Sequence, residues 1–402
     1  MKKNKLLFTI VLFFIASIGR AQVDSNKVFE IFGFAQTDLG YDFNQVNPQW
    51  YDVMRPSKLP AYKNEFGSNG NTYFSVRQTR FGVKTSMPTK MGEFKTMFDF
   101  DLFGVGADAG QTTIRLRHAY GQLGHFGAGQ TESAFMDVDV FPNTLEYWGP
   151  DGMLFYRNVQ VRWIPIMGET NLVVALENPG ASADAGVYAD RVELSTVKPH
   201  FPLPDLSAHY RQATKFGYVQ LGGMLRSIQW EDDPAPGTSV NLSGSAVGWG
   251  LSLSSGITVG KKVLLHVQGI YGKGVENYFN DAPVDIGVQK NPTNLFKPII
   301  GVPLPDLGLV GFVDINWSSK FTSSVGYSTT VITNSDGQAP DAFHQGQYAV
   351  ANLLYNPVNN VMAGIELQYI NRANNTDGFT SSATKINFSF KYSFSTKLYG
   401  KK

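Results

Sequence analysis

The segment TKINFSFKYSF, residues 384–394, alternates apolar and polar side chains along its whole length. After the initial threonine, its even-numbered positions carry Ile, Phe or Tyr, and its odd-numbered positions carry Lys, Asn or Ser. A period of two predicts a β-strand with one apolar face and one wet face. The segment also has the length, roughly 9–11 residues, that a tilted strand needs to cross the hydrocarbon of a membrane.

The same alternation occurs in other parts of the chain. Residues 29–41 and 94–102 repeat it, and aromatic side chains lie at the ends of these apolar faces, as at the two interfaces of an outer-membrane barrel. Residues 74–86 and 217–229 are less regular, and we expect them either to face neighbouring subunits or to have a different register. Together the patterns predict sixteen strands, at residues 28–43, 73–86, 93–103, 113–123, 125–131, 155–164, 171–177, 206–212, 217–230, 246–257, 262–272, 307–317, 321–331, 346–355, 361–371 and 383–394.

Connections of two lengths alternate between the predicted strands. Long ones, such as 44–72, 132–154 and 273–306, follow odd-numbered strands, and short ones, such as 87–92, follow even-numbered strands. Long loops on one side, short turns on the other and an even strand count are typical of outer-membrane barrels with both chain ends in the periplasm. Closure also pairs every backbone N–H and C=O group in lipid. The sequence therefore predicts an all-β fold, a porin-like 16-stranded antiparallel transmembrane β-barrel over residues 22–402, with room for an aqueous lumen.

The composition excludes several other classes of protein. The 402 residues include 34 Lys+Arg and 33 Asp+Glu, and this balance argues against a nucleic-acid-binding protein. The absence of cysteine excludes disulfide scaffolds, thiolate metal sites and cysteine nucleophiles. No apolar run approaches about 18 residues, so a helical membrane protein is excluded as well.

The first residues have the pattern of an export signal. Lys2, Lys3 and Lys5 precede an apolar stretch at 6–18, which is followed by small residues. A basic start, a short apolar core and a small-residue exit predict a secretory signal peptide over residues 1–21. Export of a large chain without cysteine fits a Gram-negative envelope, and with the barrel pattern it predicts the outer membrane.

Arginines recur on the predicted strands between residues 77 and 162. Arg77 and Arg80 lie on the second strand, Arg115 and Arg117 on the fourth, and Arg162 on the sixth. Arg115 and Arg117 are two positions apart and therefore share a face of their strand. An arginine on the lipid face costs a few kcal/mol at the middle of the bilayer, so we expect these side chains to point into the lumen.

The long connection at 132–154 is a candidate constriction loop. It carries five carboxylates, Glu132, Asp137, Asp139, Glu146 and Asp151, of which the first three are the candidate constriction residues. If this third long loop folds inward, its carboxylates would face the arginines across a narrow point, and the resulting field would select solutes by charge. The alternative is an ordinary solvated lumen with scattered ion pairs.

This part of the chain contains six short motifs: RQTRFG at 77–82, LRHAYGQ at 116–122, GQTESAFMD at 129–137, WGP at 148–150, QVR at 160–162 and PDL at 204–206. Together these motifs resemble the DcaP-like outer-membrane porins. The resemblance covers roughly residues 73–210, and elsewhere only the strand rhythm is similar. It implies a homotrimeric 16-stranded porin whose third loop narrows the pore, and passive uptake of small, often anionic solutes such as dicarboxylates.

The resemblance also implies roles for individual residues. Its pore-wall cations match Arg77, Arg80, Arg115, Arg117 and Arg162, and its constriction-loop residues match Glu132, Asp137 and Asp139.

Both ends of the chain depart from the family pattern. Family members can carry a helical segment before the barrel, but here only about six residues separate Gln22 from the first predicted strand. The chain also continues past Phe394, so either Phe394 or Tyr399 is expected to serve as the terminal aromatic residue.

The motifs of other functions are missing from the sequence. The six histidines show no metal-ligand spacing, and no serine lies in a nucleophile-elbow motif, so we expect no enzyme, no cofactor and no metal. We therefore predict a porin whose partners are the outer-membrane bilayer and small hydrophilic solutes, with no nucleic acid. The alternative is a structural or adhesive barrel with a plugged lumen, whose long loops bind a partner.

Overall fold

Sixteen strands form a closed antiparallel barrel in the computed structural model, which describes residues 27–180, 192–194, 197–232 and 240–399. The predicted fold is confirmed, whereas the predicted signal peptide lies outside the described residues. The strands are β1 Val28–Asp42, β2 Asn71–Ser75 with Arg80–Thr89, β3 Gly92–Phe103, β4 Thr112–Leu123, β5 Phe126–Glu132, β6 Arg157–Ile166, β7 Asn171–Glu177, β8 Val197–His200 with Asp205–Thr214, β9 Gly217–Asp232, β10 Gly244–Val259, β11 Val263–Lys273, β12 Pro305–Asn316, β13 Phe321–Ile332, β14 Phe343–Tyr355, β15 Val361–Asn374 and β16 Thr380–Tyr399. No helix in this described part is long and apolar enough to cross a bilayer.

The ring closes between its first and last strands. β1 pairs with β16 over fifteen residue pairs, from Val28 with Tyr399 to Asp42 with Lys385. β16 thus extends five residues beyond Phe394, where the sequence pattern placed its end. The long loops, numbered in chain order, lie at one end of the barrel, and three of them matter for the lumen. These are L1 at 43–70, L3 at 133–156 and L6 at 274–304.

The two faces of each strand differ as the alternation predicts. On β16, Phe390 and Tyr392 are 44% and 58% exposed on the outside, whereas the inward-facing Lys385 and Ser389 are fully buried. The outer surface is therefore an apolar belt that lipid can cover, and the polar faces of the strands line the interior.

The irregular alternation of residues 74–86 and that of residues 217–229 have different structural causes. In β2, residues 76–79 interrupt the strand, and the outward-facing positions change from even, as at Phe74, to odd, as at Phe81. The expected change of register is therefore present there. β9 alternates regularly, but its inward-facing Met224 and Trp230 are apolar and buried, because they pack against residues of the long loops. Its mixed pattern reflects apolar side chains on both faces.

The long loops fold into the barrel and form a core there. Phe135 of L3 packs in one buried cluster with Tyr278 and Phe279 of L6 and with Ile270 on the wall. A second cluster joins further residues of L1 and L3 to inward-facing side chains of β12, β14, β15 and β16, namely Met54, Leu59, Met153, Val310, Phe312, Tyr348, Val350, Ile370 and Ala383. Because buried apolar clusters hold a loop in place, the extracellular half of the interior is packed rather than open.

Lys385 on the closing strand forms a buried ion pair with β1 and a hydrogen bond with L1. The Lys385 ammonium lies 3.2 Å from Asp42 Oδ1 and donates to the carbonyl of Tyr51 at 2.8 Å. We predict that Lys385→Met lowers the free energy of unfolding by about 3–5 kcal/mol, because the Asp42 carboxylate stays buried without its counter-charge. Guanidinium titration followed by tryptophan fluorescence measures this. The double variant Asp42→Asn/Lys385→Met should recover part of the loss, and an equal loss in both would contradict the ion-pair explanation.

Candidate functional site

L3 crosses the lumen from one wall to the other. At its start, Ser133 Oγ and the backbone N–H of Ala134 donate to Glu177 on β7, at 2.8 and 2.9 Å. Farther along, the N–H of Leu145 donates at 2.7 Å to Glu366 on β15. β7 and β15 are eight strands apart in a ring of sixteen, so they form opposite walls. The candidate constriction loop therefore lies inside the barrel, although Glu132 itself is the last residue of β5.

A buried carboxylate joins L3 to L1. Glu146 of L3 accepts a hydrogen bond from the N–H of Met54 at 2.9 Å and another from the N–H of Gly149. Burial raises the pKa of Glu146 to about 8; these two N–H donors oppose the shift, and the charge of Glu366 adds to it. The loop is thus held by backbone contacts to acidic side chains, which keep it in one position.

A cluster of five residues connects L1, L3 and L6, and we call it the three-loop cluster. The Arg55 guanidinium lies 4.3 Å from the ring centre of Trp50 and 4.4 Å from that of Trp148. It also forms an ion pair of 2.7 Å with Asp281. Trp148 Nε1 donates to the carbonyl of Asn280 at 2.9 Å. The cluster ties the three inward-folded loops to one another at the extracellular side of the lumen.

Arg115 and Arg117 lie on the inner wall but are already paired. Their side chains reach Asp101 on β3 at 2.7 and 3.0 Å, and only 9% and 8% of each residue is exposed. The Tyr147 hydroxyl of L3 accepts a hydrogen bond from Arg117 at 2.8 Å. The two arginines therefore bind the wall and L3 together, and much of their charge is compensated.

The sequence predicted that Arg77 points into the lumen, but this side chain does not face the aqueous space. It has no exposed surface, and it forms an ion pair of 2.5 Å with Asp52 of L1. Its guanidinium also donates to the carbonyl of Gly104 at 2.8 Å and lies 3.8 Å from the centre of the Phe103 ring. The break in β2 at 76–79 directs this side chain among the loops, so Arg77 holds the loops rather than a solute.

Arg80 lines a cavity of 440 Å³ below L3, which we call the basic cavity. Arg80 and Lys391 both lie over the ring of Phe34, at 5.4 and 4.1 Å from its centre. In the described part of the chain, neither cation has a carboxylate within ion-pair distance. Arg117 also lines the cavity, and Glu146, which is buried, is its only acidic lining residue among those described.

Arg162 and the predicted loop carboxylates line a second cavity, of 400 Å³, which we call the mixed cavity. The two cavities share no lining residue. Asp137 forms an ion pair of 2.6 Å with Arg211 on β8, and Asp139 pairs with the same guanidinium. Of the arginines that the loop carboxylates were expected to face, Asp137 and Asp139 share this cavity with Arg162 and not with Arg115 or Arg117.

The other groups of the mixed cavity are fixed by the wall. Glu132 Oε1 lies 2.9 Å from Nε2 of His118. Arg162 Nε donates to Gln160 Oε1 at 2.7 Å, and a second guanidinium nitrogen donates to the Glu132 carbonyl. Within the described ranges, no three His, Asp or Glu side chains are grouped to hold a metal ion.

Three charged or polar contacts of these cavities were missed from the sequence. Lys391 belongs to the polar face of the 384–394 segment, so its inward direction could be predicted. Its position beside Arg80 could not. Tyr147 had no motif to mark it. Arg211 binds Asp137, which is 74 residues away, and no local pattern signals such a pairing.

Comparison with known proteins agrees with the barrel. The family model described as DcaP outer membrane protein matches residues 21–394. The outer membrane channel DcaP of Acinetobacter baumannii is similar in structure, with a TM-score of 0.73 and 17% identity over 92% of this chain and 98% of that chain. An anion-selective porin from Comamonas acidovorans has a TM-score of 0.57 and 9% identity, over 92% and 100% of the two chains.

A third structure also has the same fold. OmpT of Vibrio cholerae, in its trimer form, has a TM-score of 0.54 and 10% identity, over 92% of this chain and 99% of that chain. No curated protein matches the sequence. The family model nevertheless covers nearly the whole chain, and the chain therefore belongs to the DcaP outer membrane protein family, as a porin channel of the outer membrane.

Proposed function

We propose that the protein lets small hydrophilic solutes diffuse passively across the outer membrane and prefers anions such as dicarboxylates. The observation that carries the preference is the pair of cations in the basic cavity. Arg80 and Lys391 lie within 5.4 Å of the centre of one aromatic ring and have no carboxylate partner among the described residues. Two neighbouring cations match the two carboxylates of a small diacid.

The size and walls of the basic cavity suit this role. Its volume of 440 Å³ is within the range of roughly 300–1,000 Å³ that small-molecule sites occupy. Charges of one sign in a narrow cleft attract counter-ions and raise their local concentration. Glu146 weakens this attraction little, because its two oxygens accept N–H groups of Met54 and Gly149.

A homotrimer is part of the proposal. The related OmpT of Vibrio cholerae has a trimer form. The described outer wall is apolar over many strands, so part of it can face another copy of the chain as readily as lipid.

Conductance tests the proposal against its rival. The rival is a structural or adhesive barrel with a plugged lumen. The packing of L1, L3 and L6 inside the barrel favours it, because these loops fill part of the interior. Purified protein in a planar bilayer should open in groups of three equal steps, and a salt gradient should give a reversal potential of anion-selective sign. Absence of conductance in correctly folded, heat-modifiable protein would contradict the channel, and a cation-selective potential would contradict the anion preference.

A further inference from the structure

The mixed cavity differs from the basic cavity in the sign of its charges. It is lined by three cationic side chains and three carboxylates, namely Lys95, Arg162, Arg211, Glu132, Asp137 and Asp139. The basic cavity has three cationic side chains and one buried carboxylate. Different residues of L3 line the two cavities, which share no lining residue, so the interior has two compartments with different electrostatics.

Both signs of charge reach the space of the mixed cavity. The side chain of Asp139 is 57% exposed and that of Glu132 is 27% exposed, so their carboxylates are in contact with the cavity. Arg162 is half-buried and is held by Gln160 and the Glu132 carbonyl, which fixes the direction of its guanidinium. A cation and two carboxylates are therefore presented from a rigid wall and from L3.

We propose that the mixed cavity is a site for zwitterionic solutes such as α-amino acids, an inference that rests on the proposed channel function. The carboxylate of the solute would bind the Arg162 guanidinium, and its ammonium group would lie against Asp139 and Glu132. The half-buried amide of Gln122 on the same wall offers a further polar contact. A dianion would meet the carboxylates of Asp139 and Glu132 beside the Arg162 guanidinium, whereas Arg211 and Lys95 are already paired with carboxylates, so the two cavities divide solutes by charge pattern.

Liposome swelling with the full mature chain tests the inference. The probes are alanine as a zwitterion, succinate as a dianion and lactamide as an uncharged solute of similar size to alanine. Asp139→Asn is expected to lower the rate of alanine entry about threefold, the factor that one partly exposed charge contact is worth, without lowering the rates for lactamide and succinate. Lys391→Gln, in the basic cavity, is the matched variant, and it should lower succinate entry and not alanine entry.

The outcomes separate this inference from the channel proposal. If wild-type liposomes swell in succinate but alanine enters no faster than expected from lactamide, and Asp139→Asn changes nothing, the zwitterion site is wrong and the channel stands. If Asp139→Asn slows alanine and lactamide equally, its effect is steric and the inference is also wrong. If no solute enters, the channel proposal itself fails.

Discussion

Glutamate at both Arg80 and Lys391 is expected to reverse the charge preference of the channel. The double variant replaces two cations of the basic cavity by two carboxylates beside the same Phe34 ring. The anion-to-cation permeability ratio should fall on the order of tenfold, which is the lower end of what charge focusing in a cleft produces. The reversal potential in a salt gradient across a planar bilayer measures the ratio.

The control for this variant has the same change of charge away from both cavities. Lys261 and Lys262 lie exposed at a short turn between β10 and β11 and line neither cavity. Lys261→Glu/Lys262→Glu should leave the potential close to that of the wild type. An equal shift in the two double variants would show that overall charge, and not the basic cavity, sets the preference. Arg115→Glu/Arg117→Glu is a poorer test, because both arginines already pair with Asp101.

Arg55→Gln is expected to release the inward-folded loops and raise the conductance. Removing one partner of a buried ion pair costs about 3–5 kcal/mol, which changes the equilibrium between packed and released loops by at least about 100-fold. Here the loss leaves Asp281 without its counter-charge and also removes the contacts of the guanidinium with Trp50 and Trp148. Single-channel recordings should show a larger and noisier open state.

Arg55→Lys is the matched control for the three-loop cluster. It keeps the positive charge beside Asp281 but loses the planar group between the two tryptophans, so an intermediate conductance is expected. Heat-modified migration in a detergent gel shows whether the barrel itself is folded in each variant. A folded Arg55→Gln barrel with wild-type conductance and noise would show that the three-loop cluster does not limit the pore.

The barrel was predictable because its outer wall follows a local rule. From Ile386 to Phe394, each residue that faces lipid has a polar neighbour on either side, so the alternation could be read without knowing any partner strand. The break in β2 obeys no such rule. Residues 76–79 leave the strand because Arg77 binds Asp52 and the carbonyl of Gly104, and these partners come from two different loops.

The cavities depended on which strands and loops meet inside the ring. Arg80 and Lys391 are neighbours only because the closing pair β16–β1 brings them beside Phe34. The pairing of Arg115 with Asp101 was easier to predict, because the two residues have opposite charges and face inward on adjacent strands. The course of L3 could not be predicted, because its anchors Glu177 and Glu366 lie on opposite walls and belong to no recognisable motif.

The continuous ladder between β1 and β16 has a consequence for protein engineering. Val28 and Tyr399 lie side by side at the rim opposite the long loops, so a short linker can join them. New ends can then be cut in the short connection 375–379, where residues 376–378 are exposed. In such a circular permutant the present first and last strands become an ordinary hairpin. The order of the strands in the sequence can therefore be changed without changing the architecture of the pore.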